Sequence, residues 1–588
     1  MDDQNRNLLL AFALSLLVLV GWMYMFPPPE PVQRTAPVAE STLPDAGTDL
    51  GLGGDAAVPI VQELPRVEIE TPRLRGTLNL LGGRIDDLSL KDYRETTQPG
   101  SDIVHLLNPE GRNNAFYALY GWRPGTDLTW DDVPGANTPW ELVEGTTLSV
   151  GSPVTLGWTN GKGLRFTQTY AIDTNYMITV TQAVENTGTA TARVAPYGLL
   201  SRHGEPSTLE NFFISHEGFI QVADGKLSED KYKSVRDFRQ HEREGVPARV
   251  TEVAGHGWLA IADKYWMAGL IPMPGEGFSA VQRYVPSRDV YQARADLPIV
   301  VVGPGERDEV STMLFAGAKE WSVLRAYERE LGINRFIDAI DWGWFFFLTK
   351  PIFATLYFIE GVLGNMGWSI IALTLLIKAV LLPLAWKSYV SMAKMKELQP
   401  EMLALKERVG EDKQKMQVEM MKLYKEKKVN PAAGCLPILL QIPIFFSLYK
   451  VIFVTIDLRH AEWIWVFNDL SAPDPTSIMN LFGLLPWAAP APDSLLSMIF
   501  IGILPILLGI SMWLQMKLNP TPTEPVQQMV MTWMPWVFMF MLGWFASGLV
   551  LYWIANNVIT FTQQYSIMAM NGSRPDLLGN IGVKKKKS

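Results

Sequence analysis

The longest uncharged stretch of the chain lies near its end, where no Asp, Glu, Lys or Arg occurs between Glu524 and Arg574. A bilayer requires such a stretch, because a charged side chain at its centre costs roughly 3 kcal/mol and a spanning helix needs about 20 apolar residues. The tetrapeptide "FASG" at Phe545 to Gly548 divides the stretch in two. It therefore predicts two membrane-spanning helices, Met529 to Trp544 and Leu549 to Tyr565.

Further apolar runs extend this prediction to a membrane protein with several spans, which fits a chain with 48% hydrophobic and only 19% charged residues. The run from Leu8 to Phe26 ends in aromatic residues typical of a membrane interface and predicts an uncleaved N-terminal anchor, residues 1–26. The small residues "APVA" leave cleavage open. A segment within 344–363, Lys350 to Gly361, is interpreted as an amphipathic interfacial helix too short to span. The remaining predicted spans are Gly367 to Trp386, Cys435 to Ile456 and Leu495 to Met516.

A region of quite different texture separates the anchor from the other spans. Residues 27–58 are rich in Pro, Ala, Gly and Asp and predict a flexible linker. Residues 59–340 contain short runs of period two, such as "LRFTQTYAI" and "YMITVTQAV" on either side of Asp173, Thr174 and Asn175. These two runs predict a hairpin with one buried face, and their repetition predicts a large antiparallel β-sandwich outside the membrane.

The orientation follows from the basic residues in the loops. Residues 387–428 contain eleven Lys or Arg, and the tail, residues 571–588, ends in "KKKK", whereas the loop from Asp457 to Asp493 contains only Arg459. Because basic loops stay in the cytoplasm, six spans place both termini inside and the β domain outside.

Lys378 is the most informative single residue, because it lies in the middle of the otherwise uncharged segment from Gly361 to Trp386. It lies about 12 Å from the nearer end of the predicted span at about 1.5 Å per residue, which is deep for a side chain that snorkels. No Asp or Glu occurs in any later predicted span, so its partners must be water, lipid headgroups or uncharged polar groups. We therefore predict a wet, positively charged pocket. The candidate polar partners are Gln441, Asn556, Asn557, Gln563 and Gln564, and Thr374 shares the helix face of Lys378. For Lys450, near the outer end of its span, snorkelling is the better interpretation.

The loop at 387–430 predicts an antiparallel helical hairpin. Leu398, Met402, Leu405 and Val409 form one helical stripe, and Met416, Met420 and Tyr424 form another beyond Gly410. Either the two stripes pack on each other, or the basic, Met-edged arm contacts exposed chains and ribosomes. The candidate contact residues are Met392, Met395, Met402 and Met420.

Two stretches carry a specific resemblance: Ser388 to Phe446, including "NPAAGCLPILLQIPIF", and "SGLVLYWIANNVITFTQQY" at Ser547 to Tyr565. They resemble the YidC/Oxa/Alb family of membrane protein insertases, in the Gram-negative form with a large periplasmic domain. The resemblance is strong in the last 240 residues and looser in the β domain. Bacterial members commonly have Arg where this chain has Lys378, so the charge is kept and the guanidinium fork is lost.

The resemblance implies a polytopic α-helical membrane protein with six transmembrane helices, five of them in an insertase core at 364–570, and a periplasmic β-supersandwich similar to sugar mutarotases. It implies insertion and folding of nascent inner-membrane proteins, alone or with the Sec translocon, with ribosome contacts through the hairpin and tail. The implied groove is open to the cytoplasm and to lipid, and its predicted residues are Lys378, Thr374, Gln441, Trp553, Asn556 and Gln563.

Other classes of function have weaker support in the sequence. A small-molecule or lipid transporter with an anion site at Lys378 would be expected to show repeated or paired broken spans, and none is evident. A sugar-binding cleft is open, since the β domain contains His105, His203, His216, His241 and His256, each better interpreted as exposed or structural. One cysteine and scattered histidines predict no metal site, and the absence of phosphate loops and Ser-His pairs predicts no cofactor and no enzyme. A net charge of −9 argues against binding to nucleic acid.

Overall fold

The computed structural model describes residues 65–572, except 97–99, 207–208, 210–214, 411, 428–435, 486, 488–489, 491–495, 497–498 and 520–524. The predicted anchor (1–26), linker (27–58) and nearly all of the predicted basic tail (571–588) lie outside the described residues, as does the end of the predicted hairpin.

Twenty strands form two large sheets, one of eleven and one of nine strands, and nearly all neighbours pair antiparallel. The first sheet has the order β14-β17-β18-β11-β5-β3-β2-β1-β7 with β4 and β19 beside it, and the second has the order β13-β12-β15-β16-β20-β10-β9-β8-β6. The strands are β1 Arg66–Glu70, β2 Leu74–Asn79, β3 Arg84–Arg94, β4 Ile103–Leu107, β5 Phe116–Pro124, β6 Glu141–Glu144, β7 Thr147–Leu148, β8 Val154–Thr159, β9 Leu164–Ile172, β10 Met177–Asn186, β11 Ala192–His203, β12 Gly218–Ala223, β13 Lys226–Lys231, β14 Ala248–Val253, β15 Gly257–Ala262, β16 Trp266–Pro272, β17 Phe278–Val285, β18 Val290–Asp296, β19 Val300–Val302 and β20 Arg307–Ala318.

The predicted hairpin is confirmed at β9 and β10. The two strands pair antiparallel with Val180 opposite Tyr170, and the Asp173 carboxylate accepts hydrogen bonds from the backbone N–H groups of Asn175 and Met177 in the turn. Alternate residues of β9 are buried, and residues of both sheets share one hydrophobic cluster. A half-buried period of two is therefore what builds this two-layer domain.

Helices follow the last strand. They are, after the short α1 Tyr232–Arg236 inside the β domain, α2 Trp321–Glu330, α3 Phe346–Leu363, α4 Met366–Val380, α5 Leu382–Glu397, α6 Gln399–Val409, α7 Lys413–Glu426, α8 Leu436–Val454, α9 Ile503–Met516, α10 Pro525–Met541 and α11 Ser547–Met570. Short 3-10 turns lie at Trp130–Asp132, Phe336–Ala339, Ile456–Leu458, Ile478–Gly483 and Leu542–Trp544.

The interpretation of the interfacial helix as too short to span is wrong. Helix α3 has 18 residues rather than the twelve predicted, and it is the described unbroken helix that is long and apolar enough to cross a membrane. Its length has a local cause: Phe345 and Phe346 extend the helix before Pro351, which lies in the second turn, and Gly364 ends it with a positive φ of 63°.

The first predicted span is not one straight helix. Helices α4 and α5 pass the length and composition test only together and are bent by 69° at Leu381. Pro383 explains the bend, since it has no N–H to donate and its ring conflicts with the preceding turn.

The other predicted spans differ at their ends. Helix α9 begins at Ile503 rather than Leu495, because the Asp474 carboxylate accepts a hydrogen bond from the backbone N–H of Leu504 in its first turn. Helix α10 begins before the predicted Met529 and passes into a 3-10 turn at Leu542–Trp544, and α11 continues to Met570.

Candidate functional site

Lys378 lies on the buried face of α4, one turn before the bend. Asn365 begins this helix by accepting a hydrogen bond from the backbone N–H of Trp368. Only 9% of Lys378 and 2% of Thr374 are exposed, whereas the neighbouring Leu375 is 57% exposed. The helix therefore turns its apolar face outward and its one cation inward.

The ammonium of Lys378 meets an amide. Its Nζ donates to Oε1 of Gln441 on α8 at 3.1 Å, and Nε2 of Gln441 donates in turn to the hydroxyl oxygen of Tyr552 on α11 at 2.7 Å. Within the part of the chain that the structure describes, no carboxylate forms an ion pair with Lys378. Three helices thus contribute to one buried polar chain that retains a net positive charge.

A second contact binds the backbone of Lys378. Nε2 of Gln563 donates to the Lys378 carbonyl at 3.3 Å. The bend after Val380 disturbs the normal ladder of helical hydrogen bonds, and a side-chain amide from α11 provides a donor at this point. Gln441 and Gln563 therefore fix both ends of the same residue.

The remaining predicted groove residues lie nearby without joining this chain. The Thr374 hydroxyl donates to the carbonyl of Ile370 within its own helix, so it faces the bundle but is internally satisfied. Trp553 stacks on Phe445 with ring centroids 5.3 Å apart. Asn556 is half-buried, and its Oδ1 has no donor among the described residues.

An apolar cavity of about 240 Å³ adjoins the same helices. Trp553 and Phe445 line it from α11 and α8, close in sequence to Tyr552 and Gln441. Its other lining residues are Leu508, Met512, Phe538, Leu542 and Asn557. A polar chain and an apolar cavity are therefore built on the same pair of helices.

Sequence reasoning missed Tyr552. The residue is only 2% exposed and was not distinguished from the aromatic residues that surround it. Its spacing from Asn556 and Gln563, four and eleven residues, puts all three on one helix face. That spacing could have identified Tyr552 as part of a polar stripe.

The predicted helical hairpin is confirmed for the described residues. Helices α6 and α7 contact each other, with Tyr424 Oη 3.8 Å from Met402 Sδ and an ion pair of 2.8 Å between Lys427 and Glu401. Gly410 makes the turn with a φ of 67°. Of the candidate contact residues, Met402 and Met420 lie half-buried between the arms, Met392 packs beside Tyr389, and Met395 is half-buried. Packing between the stripes, the first of the two interpretations, therefore describes Met402 and Met420.

The snorkelling interpretation of Lys450 is wrong. Its side chain is only 10% exposed and forms an ion pair with Asp341, which lies between the β domain and α3. The same carboxylate oxygen of Asp341 accepts a hydrogen bond at 2.9 Å from the backbone N–H of His216. Lys450 thus joins α8 to the β domain instead of reaching solvent.

A membrane-embedded helical region attached to a large antiparallel β domain defines the class of protein. Two family models cover this architecture: "YidC periplasmic domain" matches residues 66–355, and "60Kd inner membrane protein" matches residues 358–574. The membrane protein insertase YidC of Dinoroseobacter shibae is 60% identical over 100% of this chain and 99% of its own length.

Two solved structures are also similar. A YidC insertase with its first transmembrane domain resolved has 17% identity over 86% of this chain and 93% of its own, with a TM-score of 0.35. A galactose mutarotase-like protein of Lactobacillus casei has 11% identity over 43% of this chain and 100% of its own, with a TM-score of 0.29. These scores are too low to carry an argument, so the resemblance to mutarotases stays a prediction.

The chain belongs to the YidC family of membrane protein insertases, as an inner-membrane protein with a periplasmic β domain.

Proposed function

We propose that this chain inserts membrane proteins by receiving their polar flanking segments in a groove around Lys378. The single observation that carries the proposal is the buried ammonium whose printed partner is the neutral amide of Gln441. A lysine paired with a carboxylate would present no net charge to a client. Lys378 presents one, and it does so within apolar helices.

The physical need is the cost of moving polar groups through hydrocarbon. Each unsatisfied backbone or side-chain group costs several kcal/mol there. A hydrated cationic groove shortens the apolar path and attracts the acidic residues of a translocated segment. Burial of the client's own apolar helix supplies the driving force, so no nucleotide is required.

The apolar part of the client would be received by the neighbouring cavity of about 240 Å³. Trp553, Phe445 and Met512 offer aromatic and thioether surfaces that adapt to varied side chains. Asn557 brings a polar atom to the same cavity, though its amide already donates to Ser511. Clients would thus be divided between a charged groove and an apolar exit.

We propose the six-span topology with both termini in the cytoplasm and the β domain in the periplasm. In this arrangement α3 lies along the periplasmic surface despite its length. Phe353 and Tyr357 both pack on Trp321 of α2, with ring centroids 5.7 and 5.1 Å apart, and Lys350 pairs with Asp338. Because these contacts extend over two turns, α3 follows the β domain instead of leaving it.

The hairpin of α6 and α7 would contact clients and ribosomes on the cytoplasmic side, together with the basic tail, and the Sec translocon would share some clients. The contact surface we propose is the outer face of the hairpin, where Leu403, Val418 and Met421 are about half exposed. The transporter alternative has no support from the comparisons.

The experiment is insertion of a single-span client into proteoliposomes that contain the purified protein. Two forms of the client are used, one with acidic residues in the translocated segment and one with neutral residues in their place. Lys378→Gln should reduce insertion of the acidic form severalfold, and Lys378→Arg should retain it. Lys517→Gln, the same change at the end of α9, is the matched control.

A photo-crosslinking residue at Asn556 supplies the second arm. It should capture the client during translation, and the same residue at Ile299, which is 67% exposed in the β domain, should not. Equal insertion of the acidic form by Lys378→Gln and the unchanged protein would refute the role of the charge.

A further inference from the structure

We propose that Tyr552 is a positioning residue for Lys378: its hydroxyl orients the Gln441 amide so that the carbonyl end faces the ammonium. The inference rests on the proposed function and deepens it, because it names a group that controls the charge without touching it. Neither Lys378 nor a client needs to contact Tyr552 for this role.

The chemistry of the amide supports the assignment. A Gln side chain has one acceptor end and one donor end, while an ammonium can only donate. Gln441 can therefore bind Lys378 only through Oε1, at 3.1 Å. If the amide were turned over, two N–H groups would face the cation and the contact would become repulsive.

Tyr552 selects between these two orientations. Its hydroxyl oxygen lies 2.7 Å from Nε2 of Gln441 and accepts from it, which leaves Oε1 on the side of Lys378. The ring is 2% exposed and belongs to the main hydrophobic cluster, so the hydroxyl is placed by packing. A rigid aromatic residue thus directs an amide that in turn directs a flexible lysine.

Lysine makes this arrangement necessary. Its charge lies at the end of a four-carbon stem with many rotamers and has no planar fork that would set a direction. The second contact of the residue, from Gln563, binds the backbone carbonyl and leaves the side chain free to rotate. Among the printed contacts, the direction of the ammonium depends on Gln441 alone.

The test is a double-mutant cycle on the acidic and neutral forms of the client. Tyr552→Phe keeps the ring and removes only the hydroxyl, and it should lower insertion of the acidic form about three- to tenfold, the size of one hydrogen bond to a buried polar group. Insertion of the neutral form should stay within about twofold. Gln441→Met removes the amide, so adding Tyr552→Phe to it should produce no further loss.

The matched control is Tyr565→Phe, the same change further along α11, which should leave both clients unaffected. The inference fails if Tyr552→Phe lowers both clients equally, or if its effect persists in the Gln441→Met background, since either result would mean that Tyr552 acts by packing.

Failure of this inference and failure of the proposed function give different results. If Lys378→Gln impairs the acidic form and Tyr552→Phe does not, the groove stands and only the positioning role is wrong. If Lys378→Gln has no effect, the proposed function is wrong whatever Tyr552→Phe does.

Discussion

Lys378 and Lys450 lie on neighbouring apolar helices, α4 and α8, and each is less than a tenth exposed. They differ in the groups that receive their charge. Lys450 pairs with a carboxylate, Asp341, at the border of the β domain. Lys378 donates to the neutral amide of Gln441, and the helices around it contain no acidic residue.

The difference separates a structural cation from a functional one. A buried ion pair that loses one partner leaves an uncompensated charge, and this makes Lys450 necessary for the attachment of α8 to the β domain. A lone cation satisfied by amides is costly to bury, yet it retains an unneutralised charge. The chain accepts that cost at Lys378, which is where a client charge could be received.

The largest effect is expected at Lys450. Lys450→Met should lower the apparent free energy of unfolding by about 3–5 kcal/mol, because Asp341 is left buried and unpaired. Lys378→Met leaves no carboxylate behind and should change it by less than about 1 kcal/mol. Denaturant unfolding of the full chain in detergent measures both.

The control for this pair is the double variant Lys450→Met with Asp341→Asn, which should recover most of the loss. The comparison is wrong if the two lysine variants are destabilised equally, or if the double variant is no more stable than Lys450→Met.

The next effect concerns pH, through His216 beside the same ion pair. Burial lowers the pKa of His216 to about 4, and its ring Nε2 lies 2.9 Å from the carbonyl oxygen of Phe219. The unfolded chain has a pKa near 6.5, so between these values the native state binds fewer protons than the unfolded state. The stability is therefore complete above about pH 6.5 and is lost as the pH falls toward 4, by at most about 3 kcal/mol.

Unfolding measured across this range checks the sign. His216→Gln should flatten the acid limb, and His105→Gln, the same change at an exposed residue of β4, should not. An acid limb unchanged in His216→Gln would show that other groups cause the loss.

The third prediction makes Lys378 resemble Lys450. Gln441→Glu would place a carboxylate beside the ammonium, and an ion pair at close range contributes several kcal/mol at an effective dielectric constant near 20. Insertion of the acidic client should fall about tenfold or more, while the neutral client is unaffected. Gln441→Met, which removes the amide and adds no charge, should have the smaller effect; the reverse order would mean that free charge is not what the groove supplies.

How far the sequence could predict these features depends on the distance between the interacting residues. The β9–β10 hairpin was predicted nearly to the residue because alternation and turn chemistry are local. The Gln441 contact was among five candidates because the sequence contains no acidic residue in the later spans. Both predictions needed only residue types and their order.

The missed contacts are those fixed by packing. Asp341 and Lys450 are 109 residues apart and meet only because the β domain is packed against α8. Tyr552 lies among apolar and aromatic neighbours, and only the position of α8 reveals that its hydroxyl has a partner. The bend at Leu381 was signalled by Pro383, but its size depends on the contacts of α5 with α11.

The smallest expected effect concerns the bend next to Lys378. Gln563→Leu removes the donor to the Lys378 carbonyl and should lower the free energy of unfolding by about 1 kcal/mol, the net value of one neutral hydrogen bond. That is well below the loss expected at Lys450, because no charge is left unpaired. Thr562→Val is the control, since the Thr562 hydroxyl donates to the Val558 carbonyl within α11. A loss as large as that of Lys450→Met would mean that the groove is held as strongly as the ion pair, and the contrast between the two lysines would then lie in their charge alone.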